Sequence, residues 1–136
     1  MTHIILGEIN ISPLLEAHAT LGEALSQVQS TLERDGAIQR FEYCFELAWK
    51  TLQRVLHHQG LTTANSPREV FRLSAQAGLI DDVEQWFVFL NHRNNTVHAY
   101  NARLADDIFA AVPAFAIAFQ SLLNILLFLQ RTAQLT

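Results

Sequence analysis

Apolar residues recur at steps of three and four along most of this chain, and no stretch alternates with the period of two that a half-buried strand needs. Ser12-Pro13 reads as a helix start, with Ser as cap and Pro at the first helical position. Leu14, Leu21, Leu25, Val28 and Leu32 follow at helical spacing to about Arg34, where Asp35-Gly36 predicts the end. Residues 37–59 then form the most informative helix. Gln39, Glu42, Glu46, Lys50, Gln53 and His57 make one narrow polar stripe on it. Ile38, Phe41, Phe45, Trp49, Leu52 and Leu56 are among the apolar residues filling much of the remaining circumference, which predicts a central position. Glu46 and Lys50 form an ion pair four apart in the favourable orientation. Arg40 and Arg54 interrupt the apolar arc and read as packed stems with solvated heads. His57 and His58 fall in the last turn, where cations suit the helix dipole.

Gly60 is a natural helix C-terminus. Ser66-Pro67-Arg68-Glu69 starts a short third helix that runs to about Ala77 and is stopped by Gly78. Asp81-Asp82-Val83-Glu84 repeats the capping logic for a fourth helix, which turns Val83, Trp86, Phe87 and Leu90 inward and delivers the chain to Arg93. After Tyr100 comes a polar turn, 101–103, and then a last helix to about Thr132. Asp106 and Asp107 suit the N-terminus of that helix, and Pro113 predicts a kink in it. Residues 1–10 fit an extended lead or a disordered end. The expected fold is all-α, an antiparallel helical bundle of four to five helices in a single domain over residues 1–136.

Composition narrows the function classes. Half of the 136 residues are hydrophobic and 16% are charged, which argues for a packed core and against disorder. The formal charge of −4 offers no broad basic surface, so any nucleic acid would be held locally, by Arg93 with His92, His98 and Arg103, or through a partner. The single cysteine, Cys44, rules out an intramolecular disulfide and fits a reducing cytoplasm. In its apolar surroundings it reads as a packed thiol. The first seven residues carry no Lys or Arg, and their apolar run is too short for an export signal. Residues 108–130 carry no charge and are long enough to span a bilayer. Pro113, Gln120, Ser121 and Asn124 within that run favour a bundle or dimer-interface helix over a membrane span.

The chemistry is concentrated in Arg93-Asn94-Asn95-Thr96-Val97-His98-Ala99-Tyr100. Arg93 offers a permanently charged planar fork for a phosphate, and His98 can move a proton near neutrality. A surface cluster without catalysis has the same spacing. On an unbroken helix residues five apart lie about 140° apart, so the two can face one ligand only if the helix ends or bends between them. Asn94, Asn95 and Thr96 predict that break, with Thr96 capping a new helix and His98 in its first turn. No metal-ligand spacing or cofactor motif accompanies the stretch.

Four stretches resemble the HEPN superfamily, in its branch of nucleotidyltransferase substrate-binding proteins that are usually encoded beside a minimal nucleotidyltransferase. They are Ala37-Ile38-Gln39-Arg40-Phe41-Glu42 continuing into Glu46-Leu47-Ala48-Trp49-Lys50; Ser66-Pro67-Arg68-Glu69; Ala77-Gly78-Leu79-Ile80-Asp81-Asp82; and Arg93-Asn94 through His98-Ala99-Tyr100. Their order and spacing carry the likeness, over about the central half of the chain. The resemblance implies a homodimer with two Arg–His motifs at a shared cleft, and a toxin-type, metal-independent endoribonuclease that cleaves RNA by 2′-OH attack. It assigns His98 as general acid or base, Arg93 to the scissile phosphate, and Asn94 to orienting RNA or the histidine. Asn95 and Arg103 stand beside them as substrate-binding candidates. Tyr100 matches the tyrosine on which a cognate nucleotidyltransferase places AMP. A non-catalytic subunit that presents substrate or nucleotide to that transferase is the alternative, and a purely structural dimer module is a third.

Overall fold

The computed structural model describes residues 2–63 and 65–135, with side chains described through residue 130. Among these residues the fold is all-α apart from one small hairpin, with α1 Ser12–Ser26, α2 Thr31–His58, α3 Pro67–Gln76, α4 Val83–Asn94 and α5 Ala102–Leu135. A 3-10 turn, Asn95–His98, joins α4 towards α5. The hairpin pairs β1 Ile4–Ile5 with β2 Ile9–Asn10, antiparallel, through a turn in which Leu6 and Gly7 both take positive φ. Periodicity does not reveal it, because each strand has two residues. It folds because Ile5, Ile9 and Ile11 are fully buried under the bundle.

The first two helices divide elsewhere than at Asp35-Gly36. α1 ends at Ser26, and α2 begins at Thr31 and runs through Gly36. The Ser30 hydroxyl accepts the Glu33 N–H at 3.1 Å, and Glu33 Oε1 accepts the Gln29 N–H at 3.0 Å. That reciprocal capping box outweighs one mid-helix glycine, which costs about 1 kcal/mol against alanine. Leu32, expected on the inner stripe of the first helix, is consequently 80% exposed. Ser12 is also not the cap of α1; Ile11 holds that position. The Ser12 hydroxyl accepts the His3 N–H at 2.8 Å, and Asn10 Oδ1 accepts the Ser12 N–H at 3.0 Å.

Several other helix signals lie where their residues predict, whereas Asp106 and Asp107 fall one turn inside α5 because that helix already starts at Ala102. Gly60 and Gly78 take positive φ just past α2 and α3, and Asp82 Oδ1 accepts the Gln85 N–H at the start of α4. Ser66 holds the cap position of α3 without a side-chain bond, and Glu69 instead pairs with Arg72 at 2.6 Å. α5 starts inside the expected polar turn, where Asn101 Oδ1 accepts the N–H groups of Arg103 and Leu104. The helix continues through Pro113 without interruption.

α2 is the centre of the bundle, touching α1, α3 and α5. Its Phe41 and Phe45 meet Phe71 of α3, Trp86 and Phe89 of α4, and Phe115 and Phe119 of α5 in one aromatic cluster. Phe89 joins Trp86 in the core, while Val83, Phe87 and Leu90 are partly buried against it. By length and composition α5 could cross a membrane. In the fold its Ile108, Val112, Phe115, Phe119, Leu122 and Leu126 are buried, and Gln120, Ser121 and Asn124 lie on the opposite, exposed side.

Candidate functional site

The polar stripe of α2 meets the C-terminal end of α4 in an open cleft of about 600 Å³. Gln39, Glu42, Tyr43 and Glu46 line it from α2, Arg93 and Asn94 from α4, and Thr96 and Val97 from the 3-10 turn. Most apolar residues of α2 are buried in the bundle, which leaves this stripe to face a neighbour.

Arg93 and Glu46 form an ion pair, both side chains half-buried. Lys50 Nζ reaches the other Glu46 oxygen at 3.5 Å, as the i, i+4 spacing predicts, and Trp49 Nε1–H donates to that oxygen at 3.2 Å. The Arg93 guanidinium lies 5.9 Å from the Phe45 ring centroid, and its Nη1 is 3.4 Å from Asn94 Oδ1. The Thr96 hydroxyl lies 2.5 Å from Glu42 Oε2 and 2.7 Å from the Arg93 carbonyl. Its one proton serves one of these acceptors at a time. The contact with Glu42 ties the 3-10 turn to α2 on that side of the cleft.

The α-helix stops at Asn94, inside the 94–96 window that the residue types predict for a break. The manner differs: Asn94, Asn95 and Ala99 keep right-handed helical dihedrals, and the chain tightens into a 3-10 turn. Thr96 therefore caps no new helix, because its hydroxyl reaches back to Arg93 and across to Glu42, and Asn101 caps α5 instead. Within one copy of the chain Arg93 lies in the cleft, while His98 is exposed and absent from its lining.

His98 faces Tyr100 instead, ring centroids 6.1 Å apart and edge to face. Tyr100 is 86% exposed and borders a second cavity of about 310 Å³, which shares Gln39, Glu42 and Thr96 with the first and adds Asp35. Asn95 and Arg103 are exposed, and His92 is half-buried. Arg34, at the α2 start, bonds Asp106 of α5 at 2.7 Å and Asp35 at 3.1 Å, and these contacts hold its pKa above the ordinary value. Among the described residues no three His, Cys, Asp or Glu side chains converge as a metal site would need. Cys44 is buried, directs its thiol at the Ala17 carbonyl at 3.4 Å, and has its pKa pushed up to about 12 by burial.

Glu42, Glu46 and Thr96 line the site, although sequence reasoning gave the first two only to the polar stripe of α2 and the third only to a helix cap. The signal was present: two carboxylates four apart on an otherwise apolar helix need a polar neighbour, and Arg93 and Thr96 are that neighbour.

The description "Nucleotidyltransferase substrate binding protein like" names the family whose profile matches residues 9–127. The chain belongs to this family. The HEPN resemblance drawn from the four sequence stretches therefore holds, and so does the helical fold it implied. Probable ribonuclease HepT of Haemophilus influenzae is 34% identical over 103 residues, 73% of this chain and 70% of that protein. A crystal structure of a Thermus thermophilus protein, 41% identical, superposes with a TM-score of 0.78 over 83% of this chain and 98% of its own. A Haemophilus influenzae protein described as having the fold of a substrate binding domain of a nucleotidyltransferase superposes with a TM-score of 0.79 at 28% identity, over 86% of this chain and 98% of its own. Each of these two structures is spanned nearly end to end.

Proposed function

We propose that this chain is a toxin-type HEPN endoribonuclease which a cognate nucleotidyltransferase silences by attaching AMP to Tyr100. The observation that carries the reading is the exposed His98–Tyr100 ring pair, beside a cavity that adjoins the cleft holding Arg93. The ribonuclease name of the Haemophilus influenzae relative supports it. In this reading His98 accepts the 2′-OH proton as that oxygen attacks phosphorus. The 5′-oxygen leaves and takes a proton, giving a 2′,3′-cyclic phosphate and a 5′-hydroxyl. Arg93 exchanges Glu46 for the phosphoryl oxygens and stabilises their extra charge, with Asn94 beside it. A second copy, docked over the apolar cleft rim at Tyr43 and Val97, 53% and 72% exposed, brings its own His98 to the cleft. Modification joins the Tyr100 phenol oxygen to the α-phosphorus of ATP and expels pyrophosphate. The anionic adduct then crowds His98 and competes for Arg93.

One observation favours the alternative, a non-catalytic subunit presenting substrate to the transferase: Glu46 occupies Arg93, and His98 lies outside the cleft of its own copy. Expressing the wild type alone beside Arg93→Ala and His98→Ala separates the two. The nuclease reading expects growth arrest, and EDTA-resistant RNA cleavage in vitro, lost in both variants. Three equally harmless and inert proteins would leave the binding role standing. Intact mass after co-expression with the transferase should show an adenylyl addition that Tyr100→Phe abolishes.

A further inference from the structure

The α2 stripe continues beyond Glu46, and its two directions differ in charge. Lys50, Arg54 and His57 follow Glu46 within about 80° around the helix axis and extend about 16 Å along it. At that end lies a shallow cavity of about 380 Å³, walled by Arg54, His57, His58, Glu8 and Ile9. Glu8 Oε1 lies 2.7 Å from His58 Nδ1, which offsets its charge only when that imidazole is protonated. His57 Nε2 lies 3.1 Å from the Thr63 hydroxyl. Arg54 is exposed and makes no ion pair among the described residues. In the other direction the cleft runs towards Glu42, and towards Asp35, which Arg34 pairs at 3.1 Å, in the cavity beside Tyr100. A polyanion in the cleft is repelled at one end and attracted at the other. In a chain of net charge −4 whose one lysine is Lys50, that asymmetry sets a direction.

We propose that Lys50, Arg54 and His57 form a phosphate-binding track for the single-stranded RNA flanking the phosphate at Arg93, so that the strand leaves the cleft along α2 towards His57. The track rests on the nuclease reading and adds to it the path of the substrate. Arg54 supplies the planar fork for one backbone phosphate, and Lys50 bridges between it and the cleft.

The test uses the full chain carrying His98→Ala, which leaves RNA intact, with a fluorescein-labelled single-stranded RNA 12-mer titrated over a series of salt concentrations. Arg54→Glu should weaken binding about tenfold and flatten the dependence of log K on log salt by about 0.7 for the lost phosphate contact. Arg54→Lys should keep most of the affinity. Arg40→Glu makes the same charge change on α2 beside Ala24 and Gln27, away from the track, and should cost far less. Equal losses for Arg54→Glu and Arg40→Glu, or none for either, overturn the track while leaving the nuclease reading intact if the protein with His98 restored still cleaves. RNA binding that needs Arg54, in a wild type that cleaves no RNA, keeps the track and removes the nuclease. No RNA binding by the parent removes both.

Discussion

Replacing Glu46 by Gln should turn the cleft from a self-neutralised site into an anion receptor. Glu46 pairs with Arg93 and, at 3.5 Å, with Lys50, so one carboxylate screens two cations. Glutamine keeps an acceptor oxygen for the Trp49 N–H and removes the charge. Two unit charges 4 Å apart interact by about 4 kcal/mol at an effective dielectric constant of 20. Side chains exposed by 29% and 26% retain about a third of that once water screens them, about 1–2 kcal/mol. An incoming phosphate must displace Glu46, so its removal should tighten anion binding about five- to thirtyfold. The same loss should lower unfolding stability by about 1–2 kcal/mol, a melting shift of about 3–8 °C. Thermal unfolding in a series of inorganic phosphate concentrations reads both effects. Glu46→Gln should melt lower than wild type without phosphate and gain more from it, because ligand stabilisation grows as RT ln(1 + [L]/Kd). Adding Arg93→Ala should erase the gain. Equal phosphate gains in wild type and Glu46→Gln, or a gain that survives Arg93→Ala, would refute the view of Glu46 as an internal stand-in for phosphate.

Two further outcomes follow from the core. Phe115 is fully buried and meets Phe41, Phe45, Trp86, Phe89 and Phe119, so Phe115→Ala should cost about 3–5 kcal/mol in urea unfolding, whereas Ile117→Ala, on the exposed side of α5, should cost under about 1 kcal/mol. Cys44, with its pKa raised to about 12 by burial, should resist iodoacetamide at pH 8 until the protein is unfolded in urea, and modification in the native state at the rate of a free thiol would contradict its packing. Because an unfolded thiol ionises near 9 and the folded one near 12, this group also withdraws stability as pH rises through that window, most simply checked by comparing wild type with Cys44→Ala between about pH 8 and 11.

What the residues determined by themselves was much of what acts within a turn or two of helix. The apolar face of α2, the Asp82 cap, the positive-φ glycines 60 and 78 and the end of α4 at Asn94 were all legible, because each depends on neighbours three or four positions away. The α1–α2 boundary was not, since two local signals competed: the Ser30–Glu33 capping box prevailed over Asp35-Gly36, and Arg34 tied the new helix start to Asp106 of α5. The hairpin was also hidden, its strands being too short to show a period and its stability coming from the core above it.

The candidate site divides the same way. Its chemistry was readable as residue types in Arg93 to Tyr100, yet the partners of those residues were not. Only the packing of α4 and the 3-10 turn on α2 put Glu46 on Arg93 and Glu42 on Thr96, and left His98 outside with Tyr100. Helix propensity and capping are local free energies written into adjacent residues. Which carboxylate meets which guanidinium depends on how two helices far apart in the chain are pressed together by a shared aromatic core, and that is settled in three dimensions.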